Sequence, residues 1–168
     1  MSQQRRPSPQ ARTHVACDRE WFARELNRGG PPSDTIRMAR ILVIDDEQKV
    51  AHVMRLLLEQ RGHEVLVAED GSRGLAAAQR QQPDAIILDL MMPVMDGFAA
   101  LEALSSTPRT SGIPVLVVTA MHQEQVEQRC YSMGARSYIR KPFDAGILIG
   151  TVEDLVDRRV DVAHGEAI

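Results

Sequence analysis

From position 40 onward, short apolar runs alternate with longer stretches of helical periodicity. Ile41-Leu42-Val43-Ile44 is an apolar, β-branched run that ends in Asp45-Asp46-Glu47. Val50, Val53, Met54, Leu57 and Leu58 then recur at helical spacing until Arg61-Gly62 stops them. The alternation repeats four more times. Val65 to Ala68 reads as a strand and Ser72 to Arg80 as an alanine-rich helix; Ala85 to Leu88 is a strand ending at Asp89, and Phe98 to Leu104 a helix. Val115 to Val118 is a strand ending at Thr119, followed by a helix marked by Val126, Cys130 and Met133. Arg136 to Arg140 is a short fifth strand and Ile147 to Val156 the last helix. Strands that are apolar at every position, alternating with amphipathic helices, predict a parallel sheet covered on both faces. With right-handed crossovers, the expected architecture is a doubly wound five-stranded α/β sheet of order 2-1-3-4-5.

Residues 1–38 do not share this pattern. Pro7, Pro9, Pro31, Pro32 and the Gly29-Gly30 pair interrupt regular structure. Between them, residues 18–28 have the makings of a short helix, with Asp18 as cap and Trp21, Phe22 and Leu26 on one side, but a helix of that length is marginal alone. The expected organisation is an N-terminal extension over 1–38, disordered or with that one helix, a domain over 39–160 and a flexible tail over 161–168.

Charge follows the same boundary. The 168 residues carry 20 basic and 23 acidic side chains, a net charge of −3. Residues 1–39 hold seven arginines against Asp18, Glu20, Glu25 and Asp34, a net of +3, so residues 40–168 carry −6. An acidic body argues against a protein that grips nucleic acid by its backbone. Two cysteines, Cys17 and Cys130, offer neither a disulfide framework nor zinc spacing. No run approaches the ~20 apolar residues of a membrane span, and no secretory signal follows Arg5 and Arg6. A cytoplasmic protein is the expectation.

Ligands of doubly wound sheets bind at the carboxyl ends of the strands, near the point where strand order reverses. Strand 1 ends in Asp45-Asp46, strand 3 in Asp89, strand 4 in Thr119, and Lys141 follows strand 5. Three carboxylates gathered on one edge repel one another and call for a cation. Oxygen donors with no histidine or cysteine favour Mg²⁺, with Mn²⁺ as a substitute. A phosphoryl group would bridge such a metal to a lysine and a hydroxyl. Lysine is scarce, with only Lys49 and Lys141 against 18 arginines, so a lysine at this edge points to a need for an ammonium point charge. No glycine-rich nucleotide loop follows strand 1, which weighs against an ATPase or a dehydrogenase. Taken singly, each of these residues is also an ordinary turn or cap residue.

The segments IleLeuValIleAspAspGlu at 41–47, AspLeuMetMetProValMetAspGly at 89–97, ValThrAla at 118–120 and TyrIleArgLysProPhe at 138–143 together resemble the receiver domain of bacterial two-component response regulators, a flavodoxin-like fold. The resemblance spans roughly residues 39–160. It implies that Asp89 is the phosphoacceptor for a sensor histidine kinase or a histidine phosphotransfer protein. Asp46 would be the main acidic Mg²⁺ ligand, Asp45 would act through a bound water, and Asp89 and the Met91 backbone carbonyl would complete the protein ligands. Thr119 and Lys141 would hold phosphoryl oxygens, with a cis peptide aiming the lysine. Thr119 and Tyr138 would act as the switch, changing the face of helix 4, strand 5 and helix 5 for an unknown protein target. Nucleic acid and membrane are not expected partners, and the chain is expected to be a monomer or weak dimer.

Two positions depart from the family's common pattern. Met91 and Met121, two residues past Asp89 and Thr119, cannot position a hydrolytic water, which predicts a slowly decaying acyl phosphate. With few residues after the last helix, the expected output is protein–protein contact by a stand-alone receiver. The alternative is a non-catalytic adaptor acting through constitutive binding. A dehalogenase-like phosphatase would place its nucleophile after strand 1 in a DxD arrangement, which Asp45-Asp46-Glu47 does not provide. His52, His63 and His122 are expected at the surface, Cys130 in the core, and Gly146 and Gly150 weaken the last helix.

Overall fold

The computed structural model describes residues 38–164 except Val94, and the side chains up to Arg159. The chain divides into two units, residues 1–35 and 36–168, and the described residues all belong to the second. The helix expected over 18–28 lies outside them.

Among the described residues, five strands and five helices alternate without exception. They are β1 (Arg40–Ile44), α1 (Gln48–Glu59), β2 (Glu64–Ala68), α2 (Gly71–Gln81), β3 (Ala85–Leu88), α3 (Gly97–Ser106), β4 (Val115–Thr119), α4 (Glu124–Ser132), β5 (Ser137–Arg140) and α5 (Ala145–His164). All neighbouring strands are parallel, in the order β2-β1-β3-β4-β5, as the sequence predicts. The last helix runs from Ala145 through His164, longer at both ends than the Ile147–Val156 stretch expected from its periodicity.

Each strand sends alternate side chains to opposite faces, so the apolar runs feed two cores. Ile41, Val43, Val65, Ile87, Leu116 and Val118 pack with Met54 and Leu58 of α1 and Leu148 and Val152 of α5. Leu42, Ile44, Ile86, Leu88 and Val117 pack on the other side with Ala78 of α2, Leu101 and Leu104 of α3 and Cys130 of α4. From Ile41 to Ile44, β1 is covered on both faces, which is why that run shows no polar alternation.

Helix ends follow local chemistry. Asp70 caps α2 by accepting from the Arg73 N–H at 2.8 Å, and Asp96 caps α3 by accepting from Phe98 and Ala99. After α1 the chain reverses at Gly62, whose φ of +85° lies in the left-handed region.

That reversal overturns one expectation. His63 is buried, 5% exposed, because its N–H turns back to the Leu58 carbonyl at 3.2 Å and directs the side chain inward. Neither ring nitrogen has a hydrogen-bond partner. Burial pushes its pKa below the ordinary 6.5; the Arg61 charge acts in the same direction, against the nearby carboxylates of Glu153 and Asp84. His52 and His122 are exposed, and Cys130 is buried.

Candidate phosphoryl and metal site

The sheet's carboxyl edge assembles the site through backbone pairing. β1 and β3 are in register with Ile44 opposite Leu88, so Asp45 and Asp89 leave adjacent strands side by side. The pairing continues one step beyond the strands: the Asp89 N–H donates to the Ile44 carbonyl at 2.9 Å and the Asp45 N–H to the Ala68 carbonyl at 3.1 Å. On the other side, the Lys141 N–H donates to the Thr119 carbonyl at 2.8 Å. The Lys141–Pro142 peptide is cis.

Asp45, Asp89 and Thr119 are buried, while Asp46 is exposed at the rim. Asp45 Oδ1 accepts from the Glu47 N–H at 2.8 Å, and Asp89 Oδ1 from the Met91 N–H at 3.1 Å. These turns hold each carboxylate with one oxygen bound and the other directed across the pocket. Lys141 Nζ donates to both free oxygens, at 2.8 Å to Asp45 Oδ2 and 3.1 Å to Asp89 Oδ2. Burial pushes the Asp45 carboxyl above its ordinary pKa, and the Lys141 ammonium and the Glu47 N–H only partly offset that. Burial also opposes the Lys141 charge, but the pull of the two carboxylates outweighs it and holds that pKa above its usual value.

One ammonium does not balance three carboxylates. Asp45, Asp46 and Asp89 each offer an oxygen, all within 4.8 Å of one another. That leaves a net of −2 in a largely buried pocket, which fits a divalent cation, and the all-oxygen donor set suits a hard ion such as Mg²⁺. Neither Asp45 nor Asp46 caps α1; the cap position is Glu47, without a side-chain hydrogen bond.

Thr119 Oγ1 accepts from the Met121 N–H at a long 3.4 Å. Tyr138 is half-buried, and its hydroxyl donates to the Met121 carbonyl at 2.7 Å. Burial pushes its phenol up to about 12, with the nearby Cys130 and Glu127 adding to the shift, so it remains a donor at neutral pH. Met91 is 57% exposed beside Asp89, and Met121 is half-buried against the α2–α4 side of the core.

Asp45, Asp46, Asp89, Thr119 and Lys141 thus stand at one edge, with Met91 beside Asp89, whereas Tyr138 lies lower on β5, opposite Val117, and is tied to this edge only by its hydroxyl's bond to the Met121 carbonyl. The sequence assigned no role to Gly97, although the structure gives it one. The Gly97 N–H closes the loop onto the Leu90 carbonyl at 3.1 Å, and a Cβ there would stand 2.3 Å from Leu90 Cα and 2.4 Å from the Asp89 carbonyl oxygen. The only sequence signal for it is a glycine directly after a capping aspartate.

A doubly wound sheet with this edge chemistry defines a receiver-type domain, and comparison with known proteins agrees. The model of the response regulator receiver domain matches residues 41–153. PilH of Pseudomonas aeruginosa is 40% identical over 115 residues, covering 68% of this chain and 95% of PilH. The DNA-binding transcriptional regulator RpaA of Synechocystis is 42% identical over 124 residues, 74% of this chain but 51% of RpaA. Among solved structures, the chemotaxis protein CheY4 of Vibrio cholerae has a TM-score of 0.67 at 32% identity, covering 71% of this chain and 99% of CheY4. The chain therefore spans nearly all of PilH and about half of RpaA. It belongs to the response regulator receiver family of two-component systems. Among the described residues, no helix is long and apolar enough to cross a membrane.

Proposed function

We propose that this protein is a response regulator that accepts a phosphoryl group on Asp89 and signals through phosphorylation-dependent protein contact. The observation that carries the reading is the buried Asp89 carboxylate, with Lys141 Nζ 3.1 Å from one oxygen and two further carboxylates within reach of a shared cation. The donor is a phosphohistidine of a sensor histidine kinase or of a histidine phosphotransfer protein. An Asp89 oxygen attacks phosphorus in line as the P–N bond breaks, and the electron pair of that bond returns to the imidazole nitrogen of the donor. The product is an acyl phosphate.

Lys141, which bridges Asp45 and Asp89 before transfer, moves its donors to a phosphoryl oxygen afterwards. The long Thr119–Met121 contact leaves the Thr119 hydroxyl available to donate to another. A Mg²⁺ ion, held by Asp46, Asp89 and the Met91 carbonyl with Asp45 acting through a water, would supply electrostatic stabilisation of the charge on the transferring group. Once Thr119 has moved toward the phosphate, Tyr138 exchanges its bond to the Met121 carbonyl for an inward position. The face of α4, β5 and α5 then changes its affinity for a protein target, a shift between two packings.

Incubation with acetyl phosphate and Mg²⁺ tests the reading. Wild type is expected to take up base-labile label that the Asp89→Ala variant does not. No label on either protein refutes it and leaves constitutive protein binding as the function.

A further inference from the structure

The segment that carries Asp89 is anchored at its far end by a contact that no motif suggests. Met95 is half-buried, and its thioether lies against the start of α2 at Gly71. A Cβ on Gly71 would stand 2.9 Å from Met95 Sδ and 3.0 Å from Met95 Cγ, with Ala100 Cβ of α3 also at 3.0 Å. Gly71 does not occupy the left-handed region, so its backbone conformation suits any residue, and helix propensity alone would favour alanine there. Its use is the space it leaves.

The notch connects to the acceptor through a few short steps. Two residues after Met95, the Gly97 N–H bonds the Leu90 carbonyl, and the backbone there touches Asp89. One turn along α2, Gly74 leaves room for Ile44, whose side-chain atoms would lie 2.4–2.9 Å from a Cβ at that position. Ile44 immediately precedes Asp45. The first turn of α2 therefore meets both carboxylate-bearing segments, at Gly71 the acceptor segment and at Gly74 the end of β1.

We infer that Gly71 and Met95 are positioning residues for phosphoryl acceptance: the notch seats Met95 and thereby fixes where the Asp89 carboxylate and the Met91 carbonyl stand. The inference rests on Asp89 as the acceptor. Met95 is flexible, so a methyl group at 71 displaces its thioether rather than unfolding the domain. A misplacement of about an ångström at a reacting group is enough to slow a transfer strongly.

The test compares wild type, Gly71→Ala, Met95→Ala and the double variant in the full chain. Each is measured for its labelling rate with acetyl phosphate, its Mg²⁺ affinity by calorimetry, and the backbone amide shifts of Asp89 to Met92. Gly71→Ala is expected to label about tenfold more slowly, to bind Mg²⁺ more weakly and to shift those amides. Met95→Ala removes the anchor without crowding α2 and is expected to do the same. In the Met95→Ala background, Gly71→Ala is expected to slow labelling far less than it does in wild type, because the Met95 contact is gone and only the 3.0 Å approach to Ala100 Cβ remains. Wild-type rate and amide shifts in Gly71→Ala overturn the inference, as does an equal effect of that substitution with and without the Met95 side chain. If wild type itself takes no label, the proposed function fails, and the Mg²⁺ affinities and amide shifts still decide whether the notch positions the segment.

Discussion

The same substitution, glycine to alanine, is expected to have opposite signs in two helices of this protein. Gly150 lies within α5, exposed, with nothing within 4 Å of the place a Cβ would occupy. Alanine there gains helix propensity and meets no neighbour, a stabilisation of about 1 kcal/mol. Gly97 opens α3 directly after its cap, where a Cβ would stand 2.3 Å from Leu90 Cα and 2.4 Å from the Asp89 carbonyl oxygen. Carbon atoms in contact sit about 3.5–4.0 Å apart, so the backbone must open by more than about 1 Å. Neither obstacle is a side chain that can rotate away. Forcing atoms into a packed site typically costs about 1–3 kcal/mol, and backbone obstacles put this one at the upper end. The gain in propensity offsets about 1 kcal/mol of that, leaving Gly97→Ala less stable by roughly 2 kcal/mol. Urea unfolding of the two variants, with unchanged m-values, measures both numbers. A Gly97→Ala protein as stable as Gly150→Ala would refute the steric reasoning.

Met91→Asn and Met121→Glu, which place polar groups beside the acyl phosphate, are expected to speed its decay several-fold on the general acid–base scale of about 10²–10⁴ for an optimally placed group. Following loss of label after removal of the donor checks this, and unchanged decay in both variants refutes shielding by the methionines. Lys141→Ala removes an ammonium that competes with a cation for Asp45 and Asp89. Mg²⁺ affinity is expected to rise by at least about tenfold while the labelling rate falls, as calorimetry and labelling would show. His63 should make stability depend on pH. Its pKa is lowered in the fold, so the unfolded chain binds more protons over the window between that lowered value and 6.5. Its contribution is complete above 6.5, is lost as pH falls through 6.5 and levels off below the folded pKa. Urea unfolding at several pH values should show this component, with a slope of at most about 1.4 kcal/mol per pH unit, flattened in His63→Gln. An identical profile in wild type and His63→Gln refutes it.

The order of the elements, the parallel sheet and the edge on which the carboxylates gather were all legible in the sequence. Each is a local property multiplied by a rule. Strands buried on both faces must be apolar at every position, helices must show their period, and right-handed crossovers leave few ways to join them. Asp45, Asp89 and Thr119 could be placed because a residue that ends a strand of such a sheet stands at its carboxyl edge wherever that strand lies. The end of α5 was less legible, since helix boundaries carry weaker signals than helix interiors.

Contacts between distant segments were decided only by the tertiary structure. Lys141 bridges carboxylates 96 and 52 positions away, and which oxygens it meets depends on the two turns that bind the others. His63 was expected outside because a lone histidine beside a turn has no periodicity to place it; the return of its N–H to Leu58 put it inside. Gly71 and Gly97 look alike in sequence, each following an aspartate at a helix start, yet one leaves room for a thioether and the other for a peptide. Side-chain period and strand ends are written into neighbouring residues, whereas what fills the space beside a missing Cβ is set by how helices and loops far apart in the chain pack together.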